Sequence, residues 1–310
     1  MRQLDARQVA DALPYPGLIE ALRQGFRDGA TVPLRSHHTI PTGGTDATLL
    51  LMPAWAEGGP VGVKIVTVYP DNGARALPAI HGLYLLLDGA TGVPTALLDG
   101  PTLTARRTAA ASALAASYLA RADARELLLV GTGVIAEQLA HAHAAVRPLT
   151  RISVWGRSGE KAAALAARLA AEGLPADPVA DLQAAASAAD IVSCATLSST
   201  PLIVGDWLRG GAHLDLVGGF TPHMREADDS AVRRARLFVD TRDGALKEAG
   251  DIVDPLRRGV FSEDRVEADL YDLCRGTHPG RTSDGDVTLF KSVGTAIEDL
   301  AAARLAVSAG

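Results

Sequence analysis

The stretch "ELLLVGTGVIAE" (126–137) carries an apolar run that stops at Gly131-Thr132-Gly133 and resumes as helix-forming residues. Two glycines this close make a tight turn from strand to helix and let backbone approach a phosphate. In the pattern G-x-G-x-x-A, Gly131 makes the turn and Gly133 leaves room for a pyrophosphate. Ala136 lets the helix pack close to the strand. The free N–H groups of the helix N-terminus would face the negative charge. A bare tight turn can show the same pattern, so context decides. Here "LLLV" precedes the glycines, an alanine-rich segment (136–146) follows, and "RISVWG" (151–156) comes about one βα unit later. That is the order dinucleotide binding requires.

The end of that second strand bears on which dinucleotide is bound. An Asp or Glu there usually holds the ribose 2′-hydroxyl of NAD. This chain has Gly156-Arg157-Ser158 instead. With no carboxylate to repel a 2′-phosphate, Arg157 can pair with it and Ser158 can donate to it. The expectation is NADPH, with NADH usable. The plainer reading makes Arg157 a solvated loop cation.

Three cations outside the nucleotide unit could handle an anionic substrate. Arg35 follows Val32-Pro33-Leu34, Lys64 lies inside the apolar run "VGVKIVTV", and Arg107 lies in "LTARRTAAAS". A lysine within an apolar strand needs an anionic partner, unless it sits on a wet sheet face. Arg106-Arg107 reads as the opening of a helix, where the dipole disfavours cations. Arg107 therefore asks for an anion too, either a substrate or a structural salt bridge. His81 reads as structural, the alternative being a proton role. His141 and His143 are two apart on a helix and face different sides, so no metal site is expected.

The elements that must position these residues fall into two sets. Residues 5–30 show helical apolar spacing (Val9, Leu13, Leu18, Leu22, Phe26), and Asp5 could cap the first helix. Segments 48–55, 61–70 and 80–88 then read as strands bounded by Gly, Pro and Asp, and 91–100 as a turn followed by another strand. Strands without intervening helices predict a mixed or antiparallel sheet. From 102 to 122 the chain turns helical. Five strands then alternate with helices (127–130, 152–155, 191–194, 214–217, 237–239), as in a doubly wound parallel sheet. The last segment, "SVGTAIEDLAAARLAVSA", reads as a helix returning to the first domain. The expectation is an α/β protein. Residues 1–115 and 291–310 would form an α+β domain, and 116–290 a Rossmann-type domain.

Composition narrows the partners. The 310 residues carry a net charge of −6 without a long run of one sign, which argues against nucleic acid. The N-terminal "MRQLDARQVADAL" has no apolar core of a signal peptide. No stretch reaches the roughly 18 apolar residues of a membrane span. Cys194 and Cys274 form no C-x-x-C, so a disulfide framework is unsupported and the cytoplasm is the default location.

Taken together, "GVKIVTVYPDN" (62–72), "TGVPTALLDGPTLTARRTAAASALAASYLA" (91–120), "VGTGVIAEQ", "VGGFTPHMRE" (217–226), "KEAGD" (247–251) and "TLFKSVGTAIED" (288–299) resemble the ornithine cyclodeaminase/mu-crystallin family across nearly the whole chain. The resemblance implies a homodimer pairing through the first domain. It implies that Arg35, Lys64 and Arg107 hold the substrate carboxylate and reacting carbon. It places Thr132, Val134, Ile135, Arg157 and Thr196 along the cofactor path, and Ser292 beside the nicotinamide end.

One departure is informative. Cyclodeaminating members resemble "GGDxPGKxE", but this chain has Phe220 for the Asp and Met224 for the Lys. Neither transfers a proton at neutral pH. The resemblance then implies the imine-reducing branch: reduction of Δ1-pyrroline-2-carboxylate to proline, within proline metabolism, and of its six-membered homologue. Lys64 would donate the imine proton, or bind the carboxylate and orient a water. Arg35 and Arg107 would fork onto the carboxylate, so Arg107→Ala is expected to spare the fold and NADPH binding and to raise KM or abolish turnover. Phe220 would pack the apolar ring or simply fill core. The alternatives are a cyclodeaminase, an alanine- or opine-type dehydrogenase, and a mu-crystallin-like binding protein without catalysis.

Overall fold

The structure, a computed structural model, describes residues 1–308. Residues 309 and 310, assigned by the sequence to the first domain, lie outside the described residues. The chain forms two compact units: Met1–Arg107 with the C-terminal stretch from Thr295, and Thr108–Gly294. The divisions fall inside a helix and just after a strand, at 107/108 and 294/295, where the sequence expectation has 115/116 and 290/291.

The first unit opens with β1 (Arg2–Leu4), α1 (Ala6–Ala12) and α2 (Tyr15–Asp28). Asp5 caps α1 by accepting the Gln8 N–H, while the Gln8 side chain accepts the Asp5 N–H. Val9, Leu18, Leu22 and Phe26 turn inward at the helical period. Then come β2 (Ser36–Ile40), β3 (Ala47–Trp55), β4 (Val61–Val68), β5 (Ile80–Leu87) and β6 (Pro94–Asp99). The sheet order is β1-β6-β5-β4-β3-β2, antiparallel except for β1 on β6. The sequence reading missed β1 and β2. The first is only three residues long, and "SHHTI" is mostly exposed and lacks an apolar alternation.

Helix α3 spans Gly100–Leu119. This corrects the placement of Arg107 at a helix opening. The helix begins two turns earlier, with Asp99 accepting the Thr102 N–H. At Arg107 the helix dipole therefore makes no demand for an anion.

The second unit contains β7 (Glu126–Val130), α4 (Val134–Ala144), β8 (Arg151–Trp155), α5 (Gly159–Ala171), β9 (Ala176–Pro178), α6 (Leu182–Ala188), β10 (Ile191–Cys194), β11 (His213–Leu216), α7 (Asp229–Arg234), β12 (Arg236–Val239), α8 (Arg242–Glu248), α9 (Gly250–Arg257), β13 (Val266–Asp269), α10 (Leu270–Arg275) and β14 (Thr288–Lys291). Its eight strands are all parallel, in the order β13-β12-β14-β11-β10-β7-β8-β9. The chain winds from β7 toward β8 and then returns to β10 on the other side. This makes a switch point, the place where such sheets bind ligands beyond their carboxyl ends. The sequence reading found five of these strands. It missed β9 and β13, which are short and polar, and β14. The last strand inserts between β11 and β12, out of chain order. Finally α11 (Ala296–Ser308) packs against α2, β3 and β4 of the first unit.

Candidate active site

In the second unit the predicted nucleotide turn is built as the glycines imply. Gly131 has φ +131°, and a Cβ there would come 2.6 Å from the Ala195 carbonyl oxygen. Only glycine fits without strain. A Cβ on Gly133 would meet nothing within 4 Å, so its side of the turn is open. Gly133 is the N-cap of α4 and supplies no side-chain cap. Glu137 N–H bonds back to the Gly133 carbonyl, so the amides of Val134, Ile135 and Ala136 precede the first intrahelical bond. Open space in front of free amides fits a pyrophosphate. Val134 is exposed, while Ala136 is buried on the sheet side.

The other candidates of this unit line the same carboxyl ends, and close contacts join them in series. A Cβ on Gly156, after β8, would come 2.6 Å from Thr132 Cγ2. Gly131 abuts Ala195, next to Thr196 after β10. A Cβ on Gly218, after β11, would come 1.9 Å from the Thr196 carbonyl oxygen. Ser292, after β14, donates its N–H to the Leu216 carbonyl at 3.2 Å. Thr132, Thr196, Phe220 and Ser292 thus share one rim. Arg157 and Ser158 follow Gly156 on it. Arg157 is exposed, with no hydrogen bond or ion pair among the described residues. Ser158 caps α5 by accepting the Lys161 N–H at 3.3 Å, and its own O–H is donated to no described residue. Phe220 is 42 % exposed, so core filling is not its role.

In the first unit Lys64 and Arg107 are drawn together by two acids that sequence reasoning missed. Lys64 is 3 % exposed, so the wet-face alternative fails. Its Nζ lies 2.8 Å from Asp299 Oδ2. Arg107 Nε donates to Asp299 Oδ1 at 2.8 Å, and Nη1 donates to Glu298 Oε2. Both acids come from α11 and are buried. The anion that Arg107 asked for is thus supplied from within the chain. Its Nη2 donates to no described residue.

The electrostatics follow from this packing. Burial, then the neighbouring Arg107, push Lys64 down to about 8; Asp299 opposes them, and Arg35 adds to the depression. Arg35, just before β2 and half-buried, is therefore near enough to act on Lys64. Burial alone would raise Asp299, but Arg107 and Lys64 outweigh it and hold the carboxyl below its ordinary range. Tyr84, opposite Lys64 on β5, is buried with its hydroxyl unpartnered. A Cβ on Gly62 would come 1.8 Å from that oxygen, so the glycine makes room for the ring. The signal that could have found Glu298 and Asp299 was present: adjacent acids in a mostly apolar, alanine-rich helix need cations.

Among the other titratable groups, His143 lies 3.4 Å from Asp215, His141 pairs with Glu172 at 2.8 Å, and His81 is exposed. Among the described residues no group of three His, Cys, Asp or Glu could hold a metal ion, and no helix is long and apolar enough to cross a membrane.

The chain is similar to known proteins over nearly its whole length. The profile of the ornithine cyclodeaminase/mu-crystallin family matches residues 6–308. A Delta(1)-pyrroline-2-carboxylate reductase of Paracoccus denitrificans is 42% identical over 291 residues, covering 93% of this chain and 90% of the relative. The structure of Thermococcus litoralis Delta(1)-pyrroline-2-carboxylate reductase in complex with NADH and L-proline superposes with a TM-score of 0.93 at 34% identity, covering 100% of this chain and 97% of that one. An archaeal alanine dehydrogenase dimer with bound NAD superposes with a TM-score of 0.92 at 26% identity, covering 100% and 95%.

Proposed function

The chain belongs to the ornithine cyclodeaminase/mu-crystallin family, and from that membership we propose that it reduces cyclic ketimines bearing an α-carboxylate: Δ1-pyrroline-2-carboxylate to L-proline, and the six-membered homologue to L-pipecolate. The observation that carries the reading is position 220. A half-exposed phenyl ring stands on the β11 rim where cyclodeamination calls for a carboxylate. A phenyl ring supplies no lone pair to manage protons while ammonia leaves. Imine reduction asks for less: a held carboxylate, a protonated nitrogen and a hydride.

In this reading the reduced nicotinamide supplies the hydride. Gly131, Thr132, Gly133, Val134 and Ile135 hold the pyrophosphate. Thr196 and Ser292 line the nicotinamide end. Arg157 and Ser158 take the 2′-phosphate, which makes NADPH the preferred cofactor and leaves NADH usable. In the first unit, Arg35 and the unused Nη2 of Arg107 bind the substrate carboxylate by charge-assisted bonds. Lys64 is a cation at neutral pH that releases its proton more readily than an ordinary lysine, which suits it to protonate the imine nitrogen. Phe220 offers an apolar face to the ring. The protein works as a homodimer in the cytoplasm, a state that light scattering at micromolar concentration checks. The similarity to an alanine dehydrogenase keeps one rival: reductive amination of a 2-oxo acid.

The deciding experiment incubates purified protein with the cyclic imine plus NADPH, with ornithine plus NAD⁺, and with pyruvate, ammonia and NADPH. Oxidation of NADPH with proline formed in the first mixture alone is the expected result. Proline and ammonia from the second without turnover in the first overturn it, as does turnover confined to the third.

A further inference from the structure

Glu226 is fully buried between two loops of the strand rim. Its Oε1 accepts the Thr196 N–H at 2.7 Å and the Thr196 hydroxyl at 2.8 Å. Its Oε2 accepts the Gly218 N–H at 2.7 Å and the Gly219 N–H at 3.3 Å. One carboxylate therefore takes four donors, two from the loop after β10 and two from the loop after β11. Only an ionised carboxylate offers acceptors for all four. The glycines are part of the same construction. A Cβ on Gly218 would come 2.6 Å from Glu226 Oε1, and one on Gly219 would come 2.7 Å from Asp251 Oδ2.

Glu226 is itself held in place. Asp251 Oδ1 accepts the N–H groups of Glu226 and Ala227 at 2.7 and 3.1 Å. Asp251 Oδ2 lies 3.2 Å from Nζ of the buried Lys291, the residue before Ser292. None of these three side chains takes part in the steps described above.

We propose that Glu226 is a positioning residue: its carboxylate clasps the Thr196 loop to the Gly218–Phe220 loop, and it sets the geometry of the cofactor-binding rim only while it is ionised. This rests on the reading of that rim as the cofactor site. The surroundings place its ionisation within reach of neutral pH. Burial, opposed by Lys291 from β14 and reinforced by Asp251 from α9, pushes Glu226 up to about 7. The remaining facing groups are the donors of Thr196, Gly218 and Gly219, which favour the ionised form, and the Cys194 thiol of β10, which burial and the acids keep protonated. Arg225 beside it is engaged by Asp229 and Asp254. Protonation puts a hydrogen on an oxygen that already faces two donors, and the clasp must open on that side.

The test compares wild type, Glu226→Gln and Thr196→Val across about pH 5.5–8.5, a range that spans the ionisation of a raised carboxyl. Hydrogen exchange at Thr196, Gly218 and Gly219, corrected for its intrinsic pH dependence, reads the clasp with no ligand present. NADPH affinity and kcat/KM read its consequence. In wild type, exchange should quicken and NADPH binding weaken as pH falls through neutrality. Glu226→Gln should show fast exchange at every pH, a flattened acid limb, and a kcat/KM lower by about 10²-fold, the cost of a misplacement near 1 Å. Thr196→Val, which removes one donor to the carboxylate, should move the acid limb to higher pH. Wild-type exchange and an unmoved limb in Glu226→Gln overturn the proposal; if that variant does not fold, an unmoved limb in Thr196→Val does so. A wild type that neither binds NADPH nor reduces the imine sinks the functional reading instead, and the exchange measurement still decides the clasp.

Discussion

Lys64 and Asp299 face each other at 2.8 Å with both side chains out of water, and the other oxygen of Asp299 accepts Nε of Arg107. One carboxylate from α11, with Glu298 supplying the second negative charge, thus bridges two cations from β4 and α3. Its removal would leave a lysine and an arginine buried side by side. The pairing explains how an apolar strand tolerates Lys64, while burial and Arg107, working against Asp299, tune the lysine.

That tuning predicts an alkaline limb. Lys64 is pushed down to about 8, so raising the pH through that value removes both a cation and a proton donor. The rate of imine reduction should fall there. Arginine cannot deprotonate in this range, so Lys64→Arg should turn over more slowly but without the limb. A limb that survives in Lys64→Arg belongs to another group. The stability sign runs the other way: the folded-state pKa lies below the ordinary 10.5, so the unfolded chain holds more protons between the two values. The contribution of Lys64 to stability rises with pH across that window.

Arg107→Ala should unfold more readily, which corrects the expectation that it spares the fold. The truncation takes the guanidinium away from two buried acids and leaves Lys64 as the cation facing Asp299. Breaking one side of a buried pair costs about 3–5 kcal/mol. Arg107→Lys keeps the charge and loses the planar fork, so it should retain more stability while raising the KM for the imine. Urea titration read beside steady-state kinetics separates the two effects. An alanine variant as stable as wild type would show that the acids do not depend on Arg107.

The two glycines of the turn should respond differently to alanine. At Gly131 the backbone is held at φ +131° with a carbonyl 2.6 Å from any Cβ, so Gly131→Ala should lose about 1–3 kcal/mol. At Gly133 the backbone is ordinary and the space is open, so Gly133→Ala should melt close to wild type. Its defect should appear as weaker dinucleotide binding in a fluorescence titration. Unchanged affinity in Gly133→Ala would remove the pyrophosphate from this turn.

Arg157 should set cofactor choice. It is exposed and has no partner among the described residues, so Arg157→Ala should leave melting within about 0.5 kcal/mol. The ratio of kcat/KM for NADPH over NADH should drop toward unity. A wild type that uses NADH equally well, or a variant with the same ratio, rules the arginine out as the selector.

The local signals in the chain were enough for several parts of this picture. The strand-glycine-helix succession marks the turn because its geometry involves only neighbouring residues: a left-handed or crowded backbone position demands glycine wherever it occurs. The alternation of apolar runs with helices marks the parallel sheet, and Phe220 and Met224 can be read as incapable of proton transfer from their side chains alone. Tertiary structure decided which charges meet. Asp299 lies 192 residues from Arg107, and no periodicity connects them. Lys64 and Arg107 each announced a need for an anion, but α11 had to pack on the first sheet before that need could be assigned to Glu298 and Asp299. The same holds for Glu226. Its four donors come from loops that adjoin only because β10 and β11 are neighbours in the sheet, an arrangement set by long-range strand order. Burial turns these contacts from solvated charges into strong, mutually dependent ones, and burial belongs to the folded chain as a whole.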